Sequence, residues 1–92
     1  MKLMEVYQNI AGTVSEITGL SYSEIINSNR EECVDARSIL VNKLLKTGFS
    51  ERRISDYSGL TIQCINKLKN GFDKRLLKFE CSTIFKQINN EL

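Results

Sequence analysis

At 92 residues, with 41% hydrophobic and 26% charged residues, no Pro and five Gly, the chain has the composition of one folded domain, which excludes a disordered, collagen-like or low-complexity protein. No run of about 18 apolar residues is present to span a bilayer, and Met1-Lys2-Leu3-Met4-Glu5 lacks the apolar stretch of a signal peptide, so a cytoplasmic protein without membrane contact is expected. The net charge of +2 hides a division, with −3 over residues 1–42, +6 over 43–78 and −1 over 79–92, and the basic middle is the electrostatic footprint of a polyanion partner.

Apolar residues recur at three- and four-residue intervals without sustained alternation. That pattern predicts an all-α fold: a compact bundle of about six helices forming a single domain over residues 1–92, with no linker and no internal repeat. The first helix runs from about residue 3 to 18, with Leu3, Val6, Tyr7, Ile10, Val14 and Ile17 on one stripe and Gly19 as its stop. Ser21 and Glu24 form a capping box that opens a short second helix, in which Ile25 and Ile26 supply the buried face and Ser28-Asn29 the end. Two overlapping capping boxes, Ser28 with Glu31 and Asn29 with Glu32, are expected to start the third helix. Its apolar arc is wide, from Cys33, Ala36, Leu40 and Leu44 to Val34, Val41 and Leu45, so it is predicted to be central and to end at Lys46 and Gly48.

Residues from about 50 to 70 read as a helix-turn-helix. Ser50 caps the first helix, whose Ile54, Ser55 and Ser58 offer a small face for close approach. Gly59 supplies a positive φ for the turn, Leu60 fills the angle, Thr61 caps the second helix, and Ile65 and Leu68 face inward. Gly71 then stops that helix and Asp73 caps a last amphipathic one over about 74–90, with Leu77, Cys81, Ile84, Phe85, Ile88 and Leu92 on its stripe. This stripe is expected either to pack on the chain's own core or to serve a homodimer.

The remaining side chains narrow the chemistry. Cys33, Cys64 and Cys81 are odd in number and widely spaced, and the chain has no His, so they read as small buried hydrophobes rather than disulfides or metal ligands. Without His or paired carboxylates, neither an enzyme nor a cofactor is expected. Ile62, Gln63, Asn66 and Lys67 fall on the outward side of the second helix of residues 50–70, the positions that meet base edges when such a helix enters a major groove. Gln and Asn pair with adenine and Ile with a thymine methyl, while Arg52, Arg53, Lys67 and Lys69 suit flanking phosphates. The expected partner is double-stranded DNA. RNA is disfavoured by the lack of an aromatic stacking platform, and the alternative is a protein-interaction module whose helix-turn-helix is structural.

The span Gly19-Leu20-Ser21-Tyr22-Ser23-Glu24-Ile25-Ile26-Asn27-Ser28-Asn29-Arg30, the segment Asp35-Ala36-Arg37-Ser38-Ile39-Leu40 and the helix-turn-helix together resemble a known family. Over roughly residues 5–70 the chain is similar to the C-terminal DNA-binding domain of the bacterial replication initiator DnaA, within the Trp-repressor-like helical group. The resemblance implies that Arg30 reaches a minor groove and Arg37 the sugar-phosphate backbone. It implies a small bacterial transcriptional regulator or a DnaA-like accessory factor that binds duplex DNA sequence-specifically.

Overall fold

Three glycines in the left-handed region and a set of hydroxyl caps cut the chain into helices. In the computed structural model, which describes residues 2–92, α1 spans Leu3–Thr18, α2 Tyr22–Asn27, α3 Glu31–Thr47, α4 Glu51–Ser58, α5 Ile62–Asn70, α6 Phe72–Leu76 and α7 Phe79–Glu91. The described residues form an all-α bundle with a Cα radius of gyration of 11.9 Å.

The junctions between α1 and α2 and between α4 and α5 are built identically, 40 residues apart: Ser15-Glu16-Ile17-Thr18-Gly19-Leu20-Ser21 and Ser55-Asp56-Tyr57-Ser58-Gly59-Leu60-Thr61. In each, the first Ser hydroxyl donates to the Leu carbonyl at 2.6 Å, and Gly19 and Gly59 take φ of 73° and 80°. Thr18 and Ser58 donate back to the carbonyls of Val14 and Ile54 and accept from the Leu20 and Leu60 N–H. Ser21 and Thr61 then cap the next helix by accepting from the N–H of Glu24 and Cys64. The expectation of no internal repeat is corrected here. The repeat is a short helix corner that composition and hydropathy do not register, because it resides in hydroxyl groups and one αL glycine. Ser55 and Ser58, expected as a small face for helix approach, instead lock the turn.

Ser21 and Glu24 form the expected capping box, and its hydrogen bonds hold the Glu24 carboxyl below the usual glutamate range. A carboxyl depressed on folding stabilises the protein above its unfolded pKa, near 4.3, and loses that contribution as pH falls through the folded value. Glu24→Gln is therefore expected to flatten the acid limb of a pH-dependent unfolding series below about pH 4.3 and to leave the neutral limb's slope unchanged.

Every other helix packs against α3. Its residues from Asp35 to Asn42 are buried without interruption; the Ser38 hydroxyl there has no partner among the described residues, while the other polar side chains find theirs inside the protein. Arg37 donates to the carbonyls of Ile25 and Ser28, Asn42 donates to Ser38 and Leu68 carbonyls, and Asp35 accepts from Arg75 and Lys78. Its own Ile39, Leu40 and Leu44 meet Ile10, Val14, Ile25, Ile54, Ile65 and Ile88 from the surrounding helices in one core, all deeply buried. Tyr7 joins both corners: its ring meets Tyr22 and Tyr57 edge-on with centroids at 6.4 and 5.4 Å, and its hydroxyl bonds that of Tyr22. Burial and that bond push the Tyr7 phenol far above its ordinary value.

The start of α3 differs from expectation. Neither capping box forms; Arg30 is the N-cap residue and the Ser28 hydroxyl accepts from the Arg30 N–H. With Arg30 as N-cap, Glu31 and Glu32 stand at N1 and N2 rather than at N3, and they meet Arg75 and Lys78, and Arg30, respectively. The C-terminal segment is two helices rather than one, giving seven in all among the described residues. Asp73 lies inside α6, and α7 begins after an extended Lys78. The bend has two anchors: Phe72 packs edge-on to Phe85 at 5.0 Å, and Arg75 and Lys78 turn back onto Asp35. It throws Leu77 off the predicted stripe to 86% exposure, while Cys81, Phe85 and Ile88 fill the core. The expected homodimer face is thus mostly spent inside the chain, since Phe85 and Ile88 are buried and only Leu77 and Leu92 stay exposed.

Cys33 and Cys81 are buried as expected and Cys64 is half-buried; all three are free thiols, and burial pushes that of Cys81 up. Among the described residues no helix is long and apolar enough to cross a membrane, and no three His, Cys, Asp or Glu side chains group as metal ligands.

Candidate nucleic-acid interface

The corner at Gly59 fixes which residues of α4 and α5 reach solvent. α5 packs against α3 and α4, burying Ile65 and Leu68, and Asn42 fastens its C-terminal part through the Leu68 carbonyl at 3.4 Å. Thr61, Ile62, Gln63 and Lys67 are then exposed, and Asn66 is half-buried at the edge of the same surface. Ile62 keeps 41% exposure, an apolar side chain held in water beside two amides.

Among the described residues no side-chain hydrogen bond or ion pair engages Gln63, Asn66 or Lys67. The Thr61 hydroxyl is committed to its cap. On α4, Arg52 is 79% exposed and faces Asp56 at 3.4 Å one turn on, while Arg53 is exposed without an ion pair among the described residues. Lys69 leans across to Glu51 at 3.7 Å, a long contact between a half-exposed ammonium and a carboxylate that is 30% exposed. Exposed pairs of this kind are worth little and yield readily to a stronger anion.

Eight of the ten predicted site residues thus lie on α4, α5 and the turn between them: Arg52 and Arg53 on α4, Thr61 at the α5 N-cap, and Ile62, Gln63, Asn66, Lys67 and Lys69 on α5. The two taken from the resemblance stand elsewhere. Arg30 is exposed but paired with Glu24 and Glu32, and the Cys33 sulfur and these carboxylates raise the pKa of its guanidinium. Arg37 is buried, its guanidinium given to two carbonyls at the end of α2, so as folded it is not presented to a phosphate.

A group that sequence spacing did not single out adjoins α5. Lys67, Lys74, Arg75 and Lys78 converge with Glu31 around Gly71, lining a cleft of about 410 Å³. Asp35 and Glu31 accept from Lys78 and raise the pKa of its ammonium. Helical spacing alone puts Lys74, Arg75 and Lys78 on one arc of about 100°, and the missed signal was the long-range packing that turns this arc toward Lys67 and Glu31. The chain matches no protein-family model, no curated protein and no solved structure.

Proposed function

We propose that the protein binds double-stranded DNA sequence-specifically through α4 and α5, acting as a helix-turn-helix module with α5 in the major groove. The observation that carries this reading is the pair of unengaged amides on α5, the exposed Gln63 and the half-buried Asn66, beside an exposed Ile62, on two helices that also carry Arg52, Arg53, Lys67 and Lys69. The repeated corner supplies an internal comparison. α2 follows the same turn, yet where α5 carries Ile62, Gln63, Asn66 and Lys67, α2 carries Tyr22, Ser23, Ile26 and Asn27, with no cation. Corner architecture alone therefore does not require α5's outward chemistry. A polyanion whose edges present paired donors and acceptors does account for it. A small transcriptional regulator or a DnaA-like accessory factor is the role this reading supports.

Replacing Gln63 or Asn66 with Ala is expected to cost about 1–3 kcal/mol on the preferred duplex and much less on random sequence, with folding stability changed by less than about 0.5 kcal/mol. Parallel duplex titrations and denaturant unfolding of each variant measure this, and an unchanged site preference removes these two residues as base readers. With Arg52, Arg53, Lys67 and Lys69 each neutralising a phosphate, log K is expected to fall by about 3 to 4 per tenfold rise in salt. A flat salt response eliminates the phosphate contacts.

A second reading, a protein-interaction module, rests on Leu77 and Phe79, which stand 86% and 82% exposed at the bend between α6 and α7. Polar substitution of both separates the two readings. Duplex binding that survives it assigns the bend no part in DNA contact, and a chain that binds no duplex at low salt favours the interaction module.

A further inference from the structure

The cleft between α3, α5 and α6 is a concentration of positive charge of which the reading of α4 and α5 uses only Lys67. Four cations line it against two carboxylates, and the charges are not evenly matched. Arg75 donates to Asp35 at 2.7 Å and lies 3.5 Å from Glu31, and Lys78 bridges the same two acids. No ion pair engages Lys67 or Lys74 among the described residues. The two acids also differ in kind. The Asp35 side chain is 11% exposed and held by both cations, whereas that of Glu31 is 75% exposed at the rim. Gly71 lines the cleft, and a Cβ added there would meet the Lys67 carbonyl oxygen at 3.2 Å, tighter than ordinary contact.

We propose that this cleft binds a phosphate group, with Lys67 and Lys74 as its free cations and the Glu31 carboxylate as the anion it displaces from Arg75 and Lys78. On a bound duplex that group is a backbone phosphate beside α5, and to that extent the inference rests on the DNA reading. A phosphate offers only acceptor oxygens, which match a lining of ammonium and guanidinium donors. Glu31 occupies the rim as a built-in competitor: solvated on most of its surface, it leaves Arg75 and Lys78 at small cost, and Asp35 stays to hold both in place. Lys67 belongs to both surfaces, so α5 carries the continuity between base-reading face and cleft.

The test uses the full chain in duplex titrations over a salt series, with a preferred and a random duplex, comparing wild type, Lys74→Ala, Glu31→Gln and, as an exposed cation of α7 outside the cleft, Lys86→Ala. Lys74→Ala is expected to weaken binding several-fold on both duplexes and to lower the salt slope by about one. Glu31→Gln is expected to tighten binding several-fold on both. Denaturant unfolding of each variant confirms that folded protein is compared. If wild type binds duplex while Lys74→Ala and Glu31→Gln match Lys86→Ala, the cleft is not a backbone site and the inference is overturned with the DNA reading intact. If wild type binds no duplex, the DNA reading fails, and amide resonances titrated with inorganic phosphate decide the cleft. Saturable shifts at Gly71 and Lys74 support a free-phosphate site, and unmoved resonances overturn it.

Discussion

Ile65→Ala is expected to destabilise the fold by about 2–5 kcal/mol, the cost of a cavity at a buried aliphatic position. Ile65 has no exposed surface and sits on the side of α5 that packs against α3 and α4. Its counterpart 40 residues earlier, Ile25, is equally buried after the same corner, so Ile25→Ala is expected to show a comparable loss. Ile65→Val, which removes one methylene, should cost only about 0.5–1.5 kcal/mol. Denaturant unfolding measures all three. Because Ile65 seats α5, the Ala variant should also lose duplex affinity in proportion to its unfolded fraction, unlike the Gln63 and Asn66 variants, which separate binding from folding. A stable Ile65→Ala means that α5 is held from outside the core and that its outward face is set by something other than this packing.

Where the chain folds by local chemistry, the sequence was readable. Gly19, Gly48 and Gly59 end three helices with positive φ, and Ser21, Ser50 and Thr61 cap those that follow, because each acts within four residues of itself. The outward residues of α5 followed from the same logic: once Thr61 starts the helix and Ile65 faces in, helical spacing leaves Gln63 on the other side. Legibility stopped where long-range charge decides. Ser28 and Asn29 stand at cap spacing from Glu31 and Glu32, but α3 begins only after Arg30, and Glu31 goes to Arg75 and Lys78 across the fold. The break at Lys78 carries no Pro or Gly, and what accompanies it is distant in sequence: Arg75 and Lys78 reach Asp35, about 40 positions away in the chain, and Phe72 packs on Phe85. Without that pairing, periodicity alone predicts one helix with Leu77 on its apolar stripe. The cleft beside α5 was hidden for the same reason.

Arg37→Met is expected to cost about 2–4 kcal/mol of folding free energy while leaving the duplex affinity of the folded protein unchanged. The resemblance to the initiator domain implies a backbone contact for this residue, and its place in the fold implies a different role. α2 is only six residues long, and its last carbonyls have no helical N–H ahead of them. The Arg37 Nε donates to the Ile25 carbonyl at 2.7 Å and Nη2 to that of Ser28, so one planar side chain from α3 satisfies both and fixes the end of α2 against the central helix. Met keeps the length and apolar stem but strands two carbonyls, one of them on a fully buried residue. Lys restores the charge without the fork and should recover only part of the loss. Unfolding curves for the three proteins, beside duplex titrations over a salt series, decide between the roles. A structural Arg37 gives a lowered midpoint and an unchanged salt slope. A full-stability Arg37→Met with a slope reduced by about one means that the guanidinium leaves α2 for a phosphate on binding, and the capping role is then wrong.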